Sequence, residues 1–214
     1  MSALSENRIY LATLLSAILF FLIFSGLISG LFDFWSLFSA ILLVLLTAGL
    51  KIDPLFSYSV FGDFKDNPRR GLMLGLISAA ALYVIFWLGH RLVLIWFPGL
   101  SVQLSSVYAL KAGSSRWRIG LFLALIIGPG EELWWRGFLQ RHWMARLGRL
   151  PGMLVVSVLY AAVHLGSGNL LLVLAALVGG LWWGFQYVRF NSLLANVISH
   201  TLWDLLVFLV IPFG

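Results

Sequence analysis

The chain has 214 residues, 61% hydrophobic and only 10% charged, against about 25% charged in an average soluble domain. A sphere of this size cannot hide that much apolar surface, and disorder needs the opposite composition, so a soluble globule and a disordered chain are both excluded. The net charge of +6 comes from basic residues scattered between apolar runs, which excludes a compact nucleic-acid-binding domain and reads as membrane topology. With no cysteine, disulfides, thiolate catalysis and cysteine-ligated metal are excluded too.

Long apolar runs without period-2 alternation favour helices over a β-barrel and predict an all-α, polytopic transmembrane bundle of about seven spans in one integral-membrane domain, 1–214. The first span runs from Ile9 to Gly30. It is too long for the apolar part of a cleavable signal and lacks a convincing small-residue cleavage site. The second is Phe34 to Leu50. A polar connector follows, carrying Lys51, Asp53, Pro54, Asp63, Lys65, Asp66, Pro68, Arg69 and Arg70. The third span starts at Gly71 and runs to Leu88, or as far as Phe97. Pro98 to Arg118 is mixed in character, with room for an interfacial helix. The fourth span is Ile119 to Leu139. The basic stretch Arg141 to Arg149 leads to Pro151, which suits a helix start. The fifth span is Pro151 to Leu165, closed by the turn signal Gly166-Ser167-Gly168-Asn169. The sixth runs from Leu170 to Val188 and the seventh from Ser192 to Val210.

Basic residues in the connectors set the orientation. With the N-terminus in the cytoplasm, that side receives nine: Arg8, Lys51, Lys65, Arg69, Arg70, Arg141, Arg146, Arg149 and Arg189. The other side receives four: Arg91, Lys111, Arg116 and Arg118. The expected location is a bacterial-type plasma (inner) membrane, with the N-terminus cytoplasmic and the C-terminus outside.

Of the eight acids, Glu6, Asp33, Asp53, Asp63 and Asp66 fall in connecting segments. Glu131, Glu132 and Asp204 lie inside apolar runs, as do His164, His200 and Arg136. Each ionisable group in a membrane costs about 2.5–3.5 kcal/mol on insertion scales, so these default to function. Glu132 and Arg136 are four apart, share a helix face and can pair. Glu131 points about 100° away and has no such partner, which suits a general acid or base. Gly128-Pro129-Gly130 loosen the helix just before the pair, and broken helix at membrane depth is tolerated only beside protein or a water-filled cavity. His200 and Asp204 are again four apart, and Tyr160-Ala161-Ala162-Val163-His164 supplies the second histidine. At the helical rise, Glu131, His164 and His200 lie ~15, ~20 and ~16 Å from the cytoplasmic ends of their spans, close to one level near the midplane. The fifth span stops just after His164, which leaves a polar hollow with water access from the non-cytoplasmic side.

Each member alone also has a structural reading. A histidine in a membrane helix is often an interhelical hydrogen-bonding residue. A Glu–Arg pair can simply hold a helix, and Asp204 can simply orient His200. His90 and His142, beside Arg91 and Arg141 at span ends, read as interfacial. The ten tryptophans read mostly as lipid or interface anchors, with Trp134, Trp135 and Trp203 as packing residues beside the cluster. The functional reading rests on the set.

Glu131-Glu132-x-x-x-Arg136, followed by Gly137-Phe138-Leu139-Gln140, resembles the first motif of the CAAX protease and bacteriocin-processing (CPBP) intramembrane peptidases. Tyr160 to His164 resembles their second, an aromatic residue, three residues, then histidine, with tyrosine for the more usual phenylalanine. His200 to Asp204 resembles their third, histidine, three residues, then asparagine or a similar polar residue. The resemblance covers about Pro129 to Asp204. It implies a catalytic core at 119–210, preceded by N-terminal spans and an interfacial segment at 1–118.

By this resemblance the chain is an intramembrane glutamic endopeptidase. Glu131 would activate water, helped by His164. Glu132 and Arg136 would hold the electrostatics and the helix geometry, and His200 with residue 204 would stabilise the oxyanion. Asp204 departs from the pattern, because an ionised aspartate repels an oxyanion. It is either protonated or orients His200 as a supporting carboxylate, and the second is preferred. Were zinc bound, Glu131, His164 and His200 would be its ligands. No His-Glu-x-x-His is present and the glutamate mechanism requires no metal, so no cofactor is expected. The expected partners are the lipid bilayer and a membrane-anchored protein or peptide substrate, with C-terminal sorting or anchor signals of exported proteins ranked above CAAX-type prenylated C-termini. The oligomeric state is left open. The alternatives are a non-catalytic immunity or partner-binding member of the same scaffold, and a small transporter or proton-coupled channel, which the lack of inverted repeats lowers.

Overall fold

The computed structural model describes residues 3–28 and 32–213, which form helices and short connections with no strand among them. Helix α1 (Ala3–Phe24) is followed by α2 (Phe34–Ile52), α3 (Leu55–Asp66), α4 (Pro68–Trp96) and α5 (Ser101–Ala109). A continuous helical run, 116–147, comprises α6 (Arg116–Phe122), α7 (Gly128–Glu132) and α8 (Arg141–Leu147), joined by wider π-helical turns at Leu123–Ile127 and Leu133–Gln140. Helix α9 (Arg149–Val163), a 3₁₀ turn (His164–Ser167), α10 (Leu170–Phe190) and α11 (Leu193–Leu205), with a π turn to Val210, complete the chain.

Six helical segments among the described residues are long and apolar enough to cross a membrane, the make-up of a multi-pass integral membrane protein. The expected fourth span, Ile119 to Leu139, lies within the continuous helical run 116–147, whose hydrogen bonding changes register twice. Pro129 brings no N–H to that ladder, and its neighbours Gly128 and Gly130 resist the change least. Other boundaries shift as well. The first span ends as helix at Phe24, and the expected end at Gly30 lies outside the described residues. The polar connector contains a helix of its own, α3. Between Pro98 and Arg118, where an interfacial helix is expected, the chain forms α5.

Three local devices place the elements that matter. Asp33 caps α2, accepting from the backbone N–H groups of Trp35 and Ser36, and pairs with Arg118 at the start of α6 at 2.5 Å. Asp53, at the end of α2, pairs with Arg141 and lies 3.3 Å from His142 Nε2, which ties α2 to α8. Asp63 of α3 accepts the backbone N–H of Leu194 at 2.7 Å, fixing the start of α11. Burial pushes the Asp63 carboxyl up from its ordinary range, against the N–H groups that hold it.

Helices α4 and α11 meet with almost no side chain between them. A Cβ on Gly75 would sit 2.6 Å from that of Ile198, and one on Gly71 would sit 2.8 Å from Leu194. The pair is a small-xxx-small seam of the kind that draws membrane helices together. On the opposite flank an aromatic core of Phe20, Phe38 and Trp135, with ring centroids 5.2–5.5 Å apart, locks α1 and α2 against the run 116–147. Outward-facing residues such as Leu14, Val44 and Ile77 stay exposed, as lipid-facing positions require.

Candidate active site

Two polar stripes face each other in the bundle interior. One is Glu132, Arg136 and Gln140 at successive i, i+4 positions. The other is Asn196, His200 and Asp204 on α11. All six are buried.

Glu132 is the most fully engaged group. Its Oε1 accepts from Arg136 Nη1 at 2.8 Å and from His200 Nδ1 at 2.7 Å, and its Oε2 accepts from Asn196 Nδ2 at 2.9 Å. Arg136 Nη2 donates onward to the Gly180 carbonyl of α10 at 3.1 Å, and Gln140 donates to the Gly184 carbonyl at 2.9 Å. The arginine also lies over the rings of Tyr160 and Trp183, at 5.0 and 5.6 Å. A buried ion pair needs its remaining donors and acceptors met; here both Glu132 oxygens and both Arg136 Nη atoms find partners from three helices, while Arg136 Nε has none.

Glu131, one residue earlier, has no such set. Its Oε1 has no hydrogen-bond partner, and its Oε2 lies 3.8 Å from His200 Nε2. The side chain lines a cavity of about 160 Å³ together with His164, His200 and Asp204. The remaining walls are mostly apolar. They come from the start of α2 (Phe34, Trp35), from α5 (Tyr108) and from the start of α10 (Leu172). The cavity therefore extends toward the end of the bundle that carries α5, away from the connectors holding Arg141 and Asp63.

His164 sits where α9 tightens into the 3₁₀ turn. Its Nδ1 is 2.7 Å from the Tyr160 carbonyl. A carbonyl only accepts, so Nδ1 carries the proton and Nε2 is the nitrogen left for exchange. The ring lies against Phe24 at 4.1 Å. His200 has the same tautomer for a different reason, since its Nδ1–H is given to the Glu132 carboxylate. Asp204 lies 3.7 Å from His200 Nε2, beyond hydrogen-bond reach. Between the two carboxylates, Glu132 meets a His200 ring nitrogen at bonding distance and Asp204 does not.

The zinc ligands considered, Glu131, His164 and His200, do not gather as a set. Among the described residues no three His, Asp or Glu side chains converge as metal ligands. Both Nδ1 atoms are already engaged.

Residues 113–206 match the family model described as type II CAAX prenyl endopeptidase Rce1-like. That model belongs to the CPBP family, to which this stretch is similar. The CPBP match begins in the connector before α6 and ends one residue past α11, so it takes in all six predicted site residues and leaves out α1 to α5. The family is a protease family. Comparisons with curated proteins and with solved structures give no match.

Sequence reasoning missed two participants. Asn196 was readable, being four residues before His200 on the same face. Trp183, whose indole stacks on His200 at 3.7 Å and 18°, sits among apolar α10 residues with nothing in its neighbourhood to mark it. Trp134 and Trp135 are fully buried packing residues, whereas Trp203 lines the cavity.

Proposed function

We propose that the protein is an intramembrane endopeptidase in which Glu131 activates water. The observation that carries this is the contrast between neighbours. Glu132 is held by three donors, while Glu131 keeps an unpartnered oxygen in a cavity it shares with His164. Water between Glu131 and His164 Nε2 gives its proton to Glu131 and attacks the substrate carbonyl. The oxyanion then meets His200 Nε2. Because Nδ1–H is committed to Glu132, donation from Nε2 needs the doubly protonated ring. Asp204, beside that nitrogen, offsets its charge, a role asparagine does not fill. Protonated Glu131 delivers its proton to the leaving amine, and the peptide bond is hydrolysed.

The apolar cavity suits a substrate segment rich in bulky apolar residues. With the basic connectors in the cytoplasm, the cavity faces outward and the substrate is a C-terminal anchor or sorting signal of an exported protein. The family description favours a second reading, a prenylated CAAX C-terminus. The test is reconstitution in vesicles of known orientation, with an anchored substrate of each class. Glu131→Gln should lower cleavage by about 10²–10⁴-fold, and equal cleavage by wild type and variant would end the proposal. Cleavage is expected to survive dialysis against a chelator.

A further inference from the structure

Resting on that reading, we propose that Trp183 is a positioning residue for His200, itself locked by a buried hydroxyl chain that joins α4, α10 and α11. A hydrogen bond from Nδ1 to Glu132 fixes one edge of the imidazole but leaves the ring free to turn about that bond. The Trp183 indole, parallel within 18° at 3.7 Å, fixes the plane. Nε2 is thereby directed between Glu131 at 3.8 Å and Asp204 at 3.7 Å. Arg136 lies over the same indole at 5.6 Å, so one aromatic side chain touches both donors that flank the Oε1 of Glu132, as the ring quadrupole favours.

Trp183 is held at two points, one on the backbone and one on the ring. Its backbone carbonyl accepts from Asn196 Nδ2 at 2.8 Å, the same amide that holds Glu132. Its Nε1–H donates to Ser199 Oγ at 3.1 Å. Ser199 meets Ser78 Oγ of α4 at 2.8 Å, and Ser78 meets Gln186 Oε1. The polarity of this chain is determined. An indole N–H only donates and an amide oxygen only accepts, so Ser78 gives its proton to Gln186 and Ser199 gives its proton to Ser78. Trp182 Nε1 adds a further donor to Ser78 at 2.8 Å. Each hydroxyl hydrogen is used once, so a hydroxyl removed anywhere leaves a buried donor without an acceptor.

The test uses the full chain in vesicles with a substrate that wild type cleaves. Trp183→Leu should lower kcat by about 10²-fold, the size expected of a small misplacement at the reacting centre, with KM little changed. In a His200→Ala background it should add nothing. Ser199→Ala and Trp183→Phe should each lower kcat by about tenfold, and the double variant should be no worse than either, because they break one bond. Independently of turnover, the ring protons of His200, shifted by the stacked indole, should move in Trp183→Leu and stay in place in the packing control Val156→Ala. Unchanged kcat and ring-proton shifts in folded Trp183→Leu, or fully additive losses in the His200→Ala background, would overturn the proposal. Should Trp183→Leu not fold, the Ser199→Ala and Trp183→Phe cycle decides alone, and additive losses there reject it. Retained cleavage in Glu131→Gln would instead reject the peptidase reading, and the ring-proton result would still stand or fall separately.

Discussion

Asp33, Asp53 and Asp63 sit where helices begin or end, and all three are used by the architecture. Asp33 caps α2 and pairs with Arg118, Asp53 pairs with Arg141, and Asp63 holds the start of α11. The membrane interior holds two carboxylates on adjacent residues that divide differently. Glu132 is as thoroughly engaged as any connector acid, while Glu131 keeps an oxygen with no partner. Water can satisfy a partly exposed connector carboxylate, so pairing there is a convenience. In the interior an unmet carboxylate is costly, and its persistence beside a cavity is what a reaction would require. The lesson is that burial alone does not distinguish the two glutamates; an unpartnered carboxylate oxygen on a side chain that lines the cavity does.

That contrast can be broken from the top down. The largest effect expected is on turnover. Glu131→Gln should lose about 10²–10⁴-fold in cleavage rate while thermal unfolding in detergent stays near wild type, since no structural bond is removed. Glu132→Gln should do the reverse in kind. Its replacement leaves Arg136 buried without a counter-charge, which costs about 3–5 kcal/mol, seen as a large drop in unfolding midpoint along with lost activity. If Glu132→Gln folds as well as wild type, the division between the neighbours is wrong. Gly75→Leu should follow, at about 1–3 kcal/mol from overpacking, because Ile198 occupies the space its side chain needs. That change separates α4 from α11 and should be read by unfolding together with cleavage. Asp33→Ala should be smallest, about 1 kcal/mol for a lost helix cap, with cleavage unchanged. A connector variant that abolished cleavage would show that the two regions are coupled.

The motif spacings carried much of the site. Glu132 and Arg136, or His200 and Asp204, must share a face at i, i+4 whatever surrounds them, and the estimate of a common depth for three helices rested on helical rise alone. The same arithmetic reached Asn196 in principle, since it extends the stripe of His200 and Asp204 by one more turn. Gly128-Pro129-Gly130 marked where the helix of the run 116–147 loosens, but not the π turns on both sides of it or the close approach of Thr201, from a distant part of the chain, to Gly128. Nor did the spacings reach α3, whose apolar and polar residues read equally well as a connector.

The sequence by itself determined that this chain is a helical membrane protein whose few ionisable groups within the apolar runs fall near one level, because hydropathy and helical geometry are local properties. It also put Glu132 and Arg136 on one face, where they pair at 2.8 Å. The tertiary structure decided everything that depends on a contact between helices. Glu132 rather than Asp204 holds His200, because Glu132 faces Nδ1 across the α7–α11 contact at 2.7 Å while Asp204, one turn along the same helix, stays at 3.7 Å. Trp183 came to lie against His200 by the same kind of long-range packing, through a seam that two glycines of α4 and a serine chain hold closed.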